Sequence, residues 1–209
     1  MEQTPVLAEP LARPRRFDGR RLRSERTRQL LIEAYLELLA RNVRAPTASQ
    51  IARQAGYSVR SIFERFSDLR ALGLAATDHA IAVGQAEAVA RDVDGDRPTR
   101  ISSHVQIRAR ACEKWLPLWQ ALVDTQDKMA ELKARMAAIR QGNLDRLELM
   151  YGPELSVLAE PERGQILLSL GALTSFESWN LMRHDYGLSA EAVEAAWRTT
   201  IDRMLPPTP

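Results

Sequence analysis

Arginine is the residue type in this chain with the most chemistry to offer. Arg13, Arg15, Arg16, Arg20, Arg21, Arg23, Arg26 and Arg28 crowd the stretch RPRRFDGRRLRSERTR, and Arg60 and Arg65 follow in SVRSIFERF, residues 58 to 66. Guanidinium groups at such density suit a polyanion, where they release counterions, enter minor grooves and pair bidentately with guanine O6 and N7. A basic run behind a Pro-containing start is more often a solvated tail, so the run alone decides nothing. In SVRSIFERF, Ile62 and Phe66 recur at i and i+4 and point inward on a helix, which leaves Val59, Arg60, Ser61, Glu64 and Arg65 facing outward. A polar, arginine-bearing face fits a groove.

Other chemistries are poorly supplied. His79, His104 and His184 lie far apart, and the sequence holds no H-E-x-x-H, no Gly-rich phosphate loop and no serine elbow. No catalytic set is therefore expected, although helical enzymes can assemble sites from distant residues. The single cysteine, Cys112, excludes an internal disulfide and a cysteine metal cluster, fits a reducing compartment, and reads as a small buried hydrophobe. No metal or cofactor is expected. No apolar run approaches the roughly 20 residues that span a bilayer, and MEQTPVLAEPLARPRRF lacks the apolar core of a signal peptide, so no membrane partner and a cytoplasmic location are expected.

The charge is local. Residues 1 to 70 carry 14 arginines against 8 acids, a balance of +6, whereas residues 71 to 209 carry 15 basic and 19 acidic groups, or −4. With 209 residues, 45% of them apolar, the chain suffices for one ordinary core or two small ones.

The elements that must position the outward face are short. A first helix is expected from about Ser24 to Arg41, with Leu30, Leu31, Ala34, Tyr35, Leu38 and Leu39 as its apolar stripe. Pro46 breaks it. Thr47 then caps a second helix, with Gln50 completing a capping box, and this helix ends near Gln54. Gly56 supplies a positive φ for the turn, Ser58 caps a third helix, and Ala52 lets two helices cross closely. This is a helix-turn-helix signature. Helices this short are marginal alone and must be clamped by one another and by a third element.

From Thr27 to Leu72, through Ala34, Leu38, Thr47, Ile51, Ala52, Ala55, Gly56, Ser58, Ile62, Phe63 and Phe66, the sequence closely resembles the DNA-binding domain of the TetR family of bacterial transcriptional regulators. The resemblance implies an all-α protein: a disordered basic arm over residues 1 to 22, a three-helix helix-turn-helix domain over 23 to 70, and a helical ligand-binding and dimerisation domain over 71 to 209. It implies a repressor that binds a palindromic double-stranded DNA operator as a homodimer and is released by a small-molecule effector. Carried over by position, Val59, Arg60 and Ser61 fall near base edges, Ser49 lies on the preceding helix, and Thr47, Phe63 and Arg65 lie near phosphates, with Ser58 opening the reading helix. Four positions depart from the family's pattern. Phe63 replaces a usual tyrosine and brings no hydroxyl, Arg65 replaces a usual histidine, and Leu69-Arg70 stands where lysine and glutamate are common. Arg70, Arg15 and Arg16 are the compensating candidates for the DNA backbone.

Beyond residue 70 the pattern is helical throughout, with breaks expected at residues 94–98, 152–153 and 160–161 and a bend at Pro117. The end of the chain, FESWNLMRHDYGLSAEAVEAAWRTTIDRML, resembles the family's C-terminal pattern of a long helix, a glycine turn, a Ser189 cap and a final amphipathic helix. Its stripe of Val193, Trp197, Thr200, Ile201 and Met204 suits intramolecular core or, beside Phe176, Trp179 and Met182, a four-helix dimer interface. For the effector, Trp115 and Trp119 flank Pro117 where the family tends to form its pocket, and His104, Tyr151 and Trp179 are further lining candidates. Core packing is the plainer role for each. An apolar or aromatic effector is expected from this set. The alternatives are a helical adaptor whose helix-turn-helix contacts protein, and a helical enzyme.

Overall fold

The computed structural model describes residues 18–42, 44–125 and 129–209. In it the described chain is all helix and loop, with no strand. The helices are α1 (Asp18–Arg41), α2 (Ala48–Ala55), α3 (Val59–Phe63), α4 (Leu69–Glu87), α5 (Arg97–Val123), α6 (Ala130–Leu155), α7 (Glu160–Leu173), α8 (Phe176–Asn180), continued by a π-helical turn (Leu181–Asp185), and α9 (Ala190–Met204).

Local chemistry sets the first three. Thr47 caps α2 by accepting from the Gln50 N–H, while the Thr47 N–H donates back to Gln50 Oε1 at 2.8 Å, the reciprocal box expected from the sequence. At the other end Gly56 adopts φ 72°, so that its N–H reaches Arg53 O and the Tyr57 N–H reaches Ala52 O at 2.9 Å. This paired closure satisfies carbonyls the helix end would otherwise orphan. Two residues later Ser58 caps α3 by accepting from the Ser61 N–H. Neither short helix stands alone, because Ile51, Ala52, Ile62 and Phe66 bury against Leu31, Ile32 and Ala34 of α1 and Leu72 and Ala76 of α4.

A second, larger core fills the rest of the molecule around α5. Val105, Ala109, Cys112, Leu116 and Trp119 meet Met136, Leu147 and Tyr151 of α6, Trp179 of α8 and Val193, Trp197 and Ile201 of α9. Burial pushes the Cys112 thiol up to about 11, so the residue behaves as the inert hydrophobe expected. Helix α4 belongs to both cores: Leu72 and Ala76 to the first, Ala80 to the second. Leu39, near the end of α1, also enters the second. Between α5 and α6 lies a buried ion pair, Arg100 with both carboxylate oxygens of Glu154 at 2.8 and 2.6 Å, to which the Thr208 hydroxyl adds a bond at 2.6 Å.

Four expectations are corrected. Helix α1 begins at Asp18, ahead of the expected start near Ser24, so it crosses the anticipated arm boundary at residue 22 and carries Arg20, Arg21 and Arg23. Helix α5 runs through Pro117 instead of parting there, since Leu116, Leu118 and Trp119 are all buried and tertiary packing holds the turn that the proline weakens. At Gly152-Pro153 the chain kinks without ending: Tyr151 leaves helical geometry at φ −120°, ψ 18°, and α6 continues to Leu155. The expected long helix before Gly187 is the short α8 with its π turn, capped by Ser175.

Candidate DNA interface and effector cavity

The face of α3 turned from the core is open. Phe63 is 49% exposed, Val59 and Tyr57 are each 37% exposed, and the Arg60 side chain is 88% exposed. An exposed aromatic beside a valine and an arginine on one short helix is unusual surface for a soluble domain. Arg60 donates through Nε to Glu64 Oε1 at 3.0 Å, one turn on, so its charge is partly answered within the helix. Arg65 turns back to the Ser61 carbonyl at 3.0 Å and lies largely covered. Thr47, Ser49 and Ser58 are exposed and Ser61 is half-buried, with both serine hydroxyls, Ser58 and Ser61, 3.0 Å apart. Arg70 faces α6, where its Nη2 bonds both carboxylate oxygens of Glu131 at 3.1 and 2.9 Å. Arg15 and Arg16 lie outside the described residues.

Helices α4, α5 and α6 line a partly open cavity of about 180 Å³. Trp115, Leu118, Trp119 and Leu122 of α5 face Thr77, Ala80, Ile81 and Gly84 of α4 and Ala138, Ile139 and Asn143 of α6, with Phe176 closing one side. Trp119 and Phe176 stack at 4.8 Å between centroids. Trp115 and Trp119 share one wall, on a single helix and not across the expected bend. The other three lining candidates sit in the core, away from this wall. His104 Nδ1 lies 2.8 Å from the Tyr151 hydroxyl, both residues being fully buried. Burial, with the Arg108 and Arg146 charges, drives His104 down to about 3, and burial lifts the Tyr151 phenol out of its usual range. Trp179 packs edge-on against Trp197 and donates its indole N–H to Glu113 at 2.9 Å.

Of the lining residues not expected from the sequence, two are charged, Arg108 of α5 and Arg146 of α6. A signal existed. Arg108 continues the row Ala111, Trp115, Leu118, Leu122 at steps of three and four, and Arg146 continues Ile139, Gly142, Asn143 in the same way. A cation prolonging an apolar row marks a site more sharply than either residue alone.

Helix α4 is tied to α6 along the cavity's flank. Besides the Arg70–Glu131 pair, Arg135 grips Asp78 with two bonds, at 2.6 and 2.9 Å. These contacts hold the Asp78 carboxyl below its usual range, chiefly through the Arg135 hydrogen bond. No group of side chains among the described residues could hold a metal ion, and no helix there is long and apolar enough to cross a membrane.

No protein-family model matches the sequence, and no curated protein matches it. Solved structures do match in shape. A transcriptional regulator from Rhodococcus sp. Rha1 superposes with a TM-score of 0.67 at 15% identity, over 87% of this chain and 99% of its own. A putative TetR-family transcriptional regulator from Mesorhizobium loti gives 0.61 at 14%, over 87% and 96%. The multidrug-binding protein EbrR, complexed with imidazole, gives 0.59 at 18%, over 97% and 98%. The chain therefore has the all-helical fold of TetR-family transcriptional regulators, helix-turn-helix at one end and helical domain at the other.

Proposed function

We propose that this protein is an effector-responsive transcriptional regulator, a repressor that acts in the cytoplasm and binds a palindromic operator as a homodimer. The observation that carries the reading is α3: a serine-capped helix held on a dedicated core, with Val59, Arg60 and Phe63 exposed and poised for base edges and backbone. Arg60 suits guanine and Val59 a thymine methyl. Ser61 completes the base-facing set, and Thr47, Ser49, Phe63 and Arg65 flank it toward phosphates. Arg70 joins them only by leaving Glu131.

Release depends on α4. The effector, a small apolar or aromatic molecule, occupies the cavity and pushes on Ala80, Ile81 and Gly84 of this helix, whose first turns pack under the reading helix through Leu72 and Ala76. A shift there moves the two recognition helices of a dimer away from the roughly 34 to 36 Å spacing of successive grooves. The dimer forms through the outer faces of α7 and α9. The α9 stripe itself, Val193, Trp197 and Ile201, is spent on α5 within the chain, which leaves the opposite side of α9 and the exposed Leu168 of α7 for a second copy.

Selection of bound sites from a random DNA pool tests the proposal. Expected is an inverted repeat whose half-sites are centred one helical turn, or a multiple, apart. A pool that stays unenriched at low salt refutes it.

A further inference from the structure

The cavity wall is apolar over most of its extent, yet two guanidinium groups reach it and no carboxylate does. Neither Arg108 nor Arg146 belongs to an ion pair among the described residues. Arg108 is steered by its Nε, which donates to the Thr174 carbonyl at 2.6 Å, and lies 4.6 Å from the Phe176 centroid. Arg146 has no such guide: its Nη1 is fully buried and meets no hydrogen-bond partner. Burial and the Arg108 charge both act against its charged form. The Trp115 indole N–H is likewise buried and unpartnered, on the same wall. Arg108 and Arg146 are themselves half-buried, but a donor sealed from water without a partner costs folding free energy unless something supplies an acceptor. Elsewhere the fold answers its buried arginine fully, as Glu154 does for Arg100.

We propose that the cavity takes an anion, a small carboxylate with an apolar body about one aromatic ring in size. The carboxylate is held by Arg108 and Arg146, and the ring lies against Trp115, Trp119 and Phe176. The size is set by the volume: about 180 Å³ is little more than the roughly 150 Å³ of an apolar void that admits benzene. The sign is set by the wall, which has donors and positive charge and no acid to receive a cationic amine. This rests on reading the cavity as the effector site, and adds the charge that the fold leaves open.

Calorimetry and tryptophan fluorescence on the full chain without DNA test it, with phenylacetate and benzoate against neutral benzyl alcohol and cationic benzylamine. The acids are expected to bind about tenfold to a hundredfold more tightly than the alcohol, the range of one or two charge-assisted hydrogen bonds, and benzylamine not at all. Arg146→Met keeps the volume and removes the unanswered charge. It should melt at or above the wild-type temperature and lose most of the acid's advantage while still binding the alcohol. Equal binding of acid, alcohol and amine overturns the proposal, as does binding by none of them. The charge series on the unaltered protein decides even if the variant fails to fold. Acids that bind but leave operator affinity unchanged uphold the anion site and sink the effector reading. Operator binding with no acid binding sinks the anion site and leaves the DNA-binding reading standing.

Discussion

With α3 in the groove as proposed, the ion pair on this helix should set a measurable limit on DNA affinity. Arg60 is bonded to Glu64 at 3.0 Å, with side chains 88% and 50% exposed. An exposed pair at i, i+4 is worth only about 0.3 to 0.5 kcal/mol, so DNA can displace it cheaply. On the proposed placement Glu64 then stays beside Arg65, 3.5 Å away, with its charge only partly answered, and a phosphate about 4 Å from it in water would be repelled by up to about 1 kcal/mol. Glu64→Gln should remove both costs, which together amount to at most about 1.5 kcal/mol, or up to roughly twelvefold tighter binding. The gain should appear on every sequence. Arg60→Ala should instead lose about 1 to 3 kcal/mol at a single base pair, the signature of a bidentate guanine contact. Fluorescence anisotropy with the selected operator and its single-base variants, at one fixed ionic strength, reads both. Weaker binding by the Glu64 variant, or uniform weakening across all sequences by the Arg60 variant, would refute the placement of this face in the groove.

Three further outcomes are expected. Because α1 begins at Asp18, removal of residues 1 to 17 spares the helix while deleting Arg13, Arg15 and Arg16, and should lower the slope of log K against log salt by up to about 3; an unchanged slope means these residues are idle. Gly56→Ala forces φ 72° on a residue with a Cβ, which should cost about 1 to 2 kcal/mol and lower the melting temperature, with operator affinity falling in parallel. Stability should fall in two stages on acidification, read by melting temperature against pH. His104 is held at about 3 in the fold by burial, so the unfolded chain takes up its proton first and stability declines from about pH 6.5 downward. For Glu154, burial pushes the carboxyl up, but Arg100 and Thr208 outweigh this and hold it at about 2, so its contribution is complete above about pH 4.5 and drains away below. His104→Gln should remove the first stage and keep the second.

The helix-turn-helix was legible because its signals are local. Thr47 with Gln50, Gly56 at a left-handed turn and Ser58 before a short helix each act within a few positions, and each does in the fold what its chemistry dictates. The start of α1 was not legible, since between Asp18 and Arg23 only Leu22 is apolar and no apolar period shows. Pro117 misled for the opposite reason: its local effect is to weaken a helix, and the burial of Leu116, Leu118 and Trp119 overrides it. The cavity was half legible. Trp115 and Trp119 stood out as large aromatics, whereas the meeting of Arg108 with Arg146 depends on how α5 lies against α6, which neither helix encodes alone. His104 Nδ1 pairs with the Tyr151 hydroxyl instead of facing that space, and its Nε2 is buried without a partner.

Because α4 contributes Leu72 and Ala76 to one core and Ala80 to the other, the chain has no seam at which the proposed reader and the proposed sensor can be parted cleanly. A cut at residue 70 would strip the reader of the floor under Ile62, and grafting that reader onto a foreign sensor would succeed only if the opening turns of α4 travelled with it. Modular exchange in this protein therefore has its natural splice inside a continuous rod, past Ala76, and hybrids joined at the apparent loop should emerge insoluble.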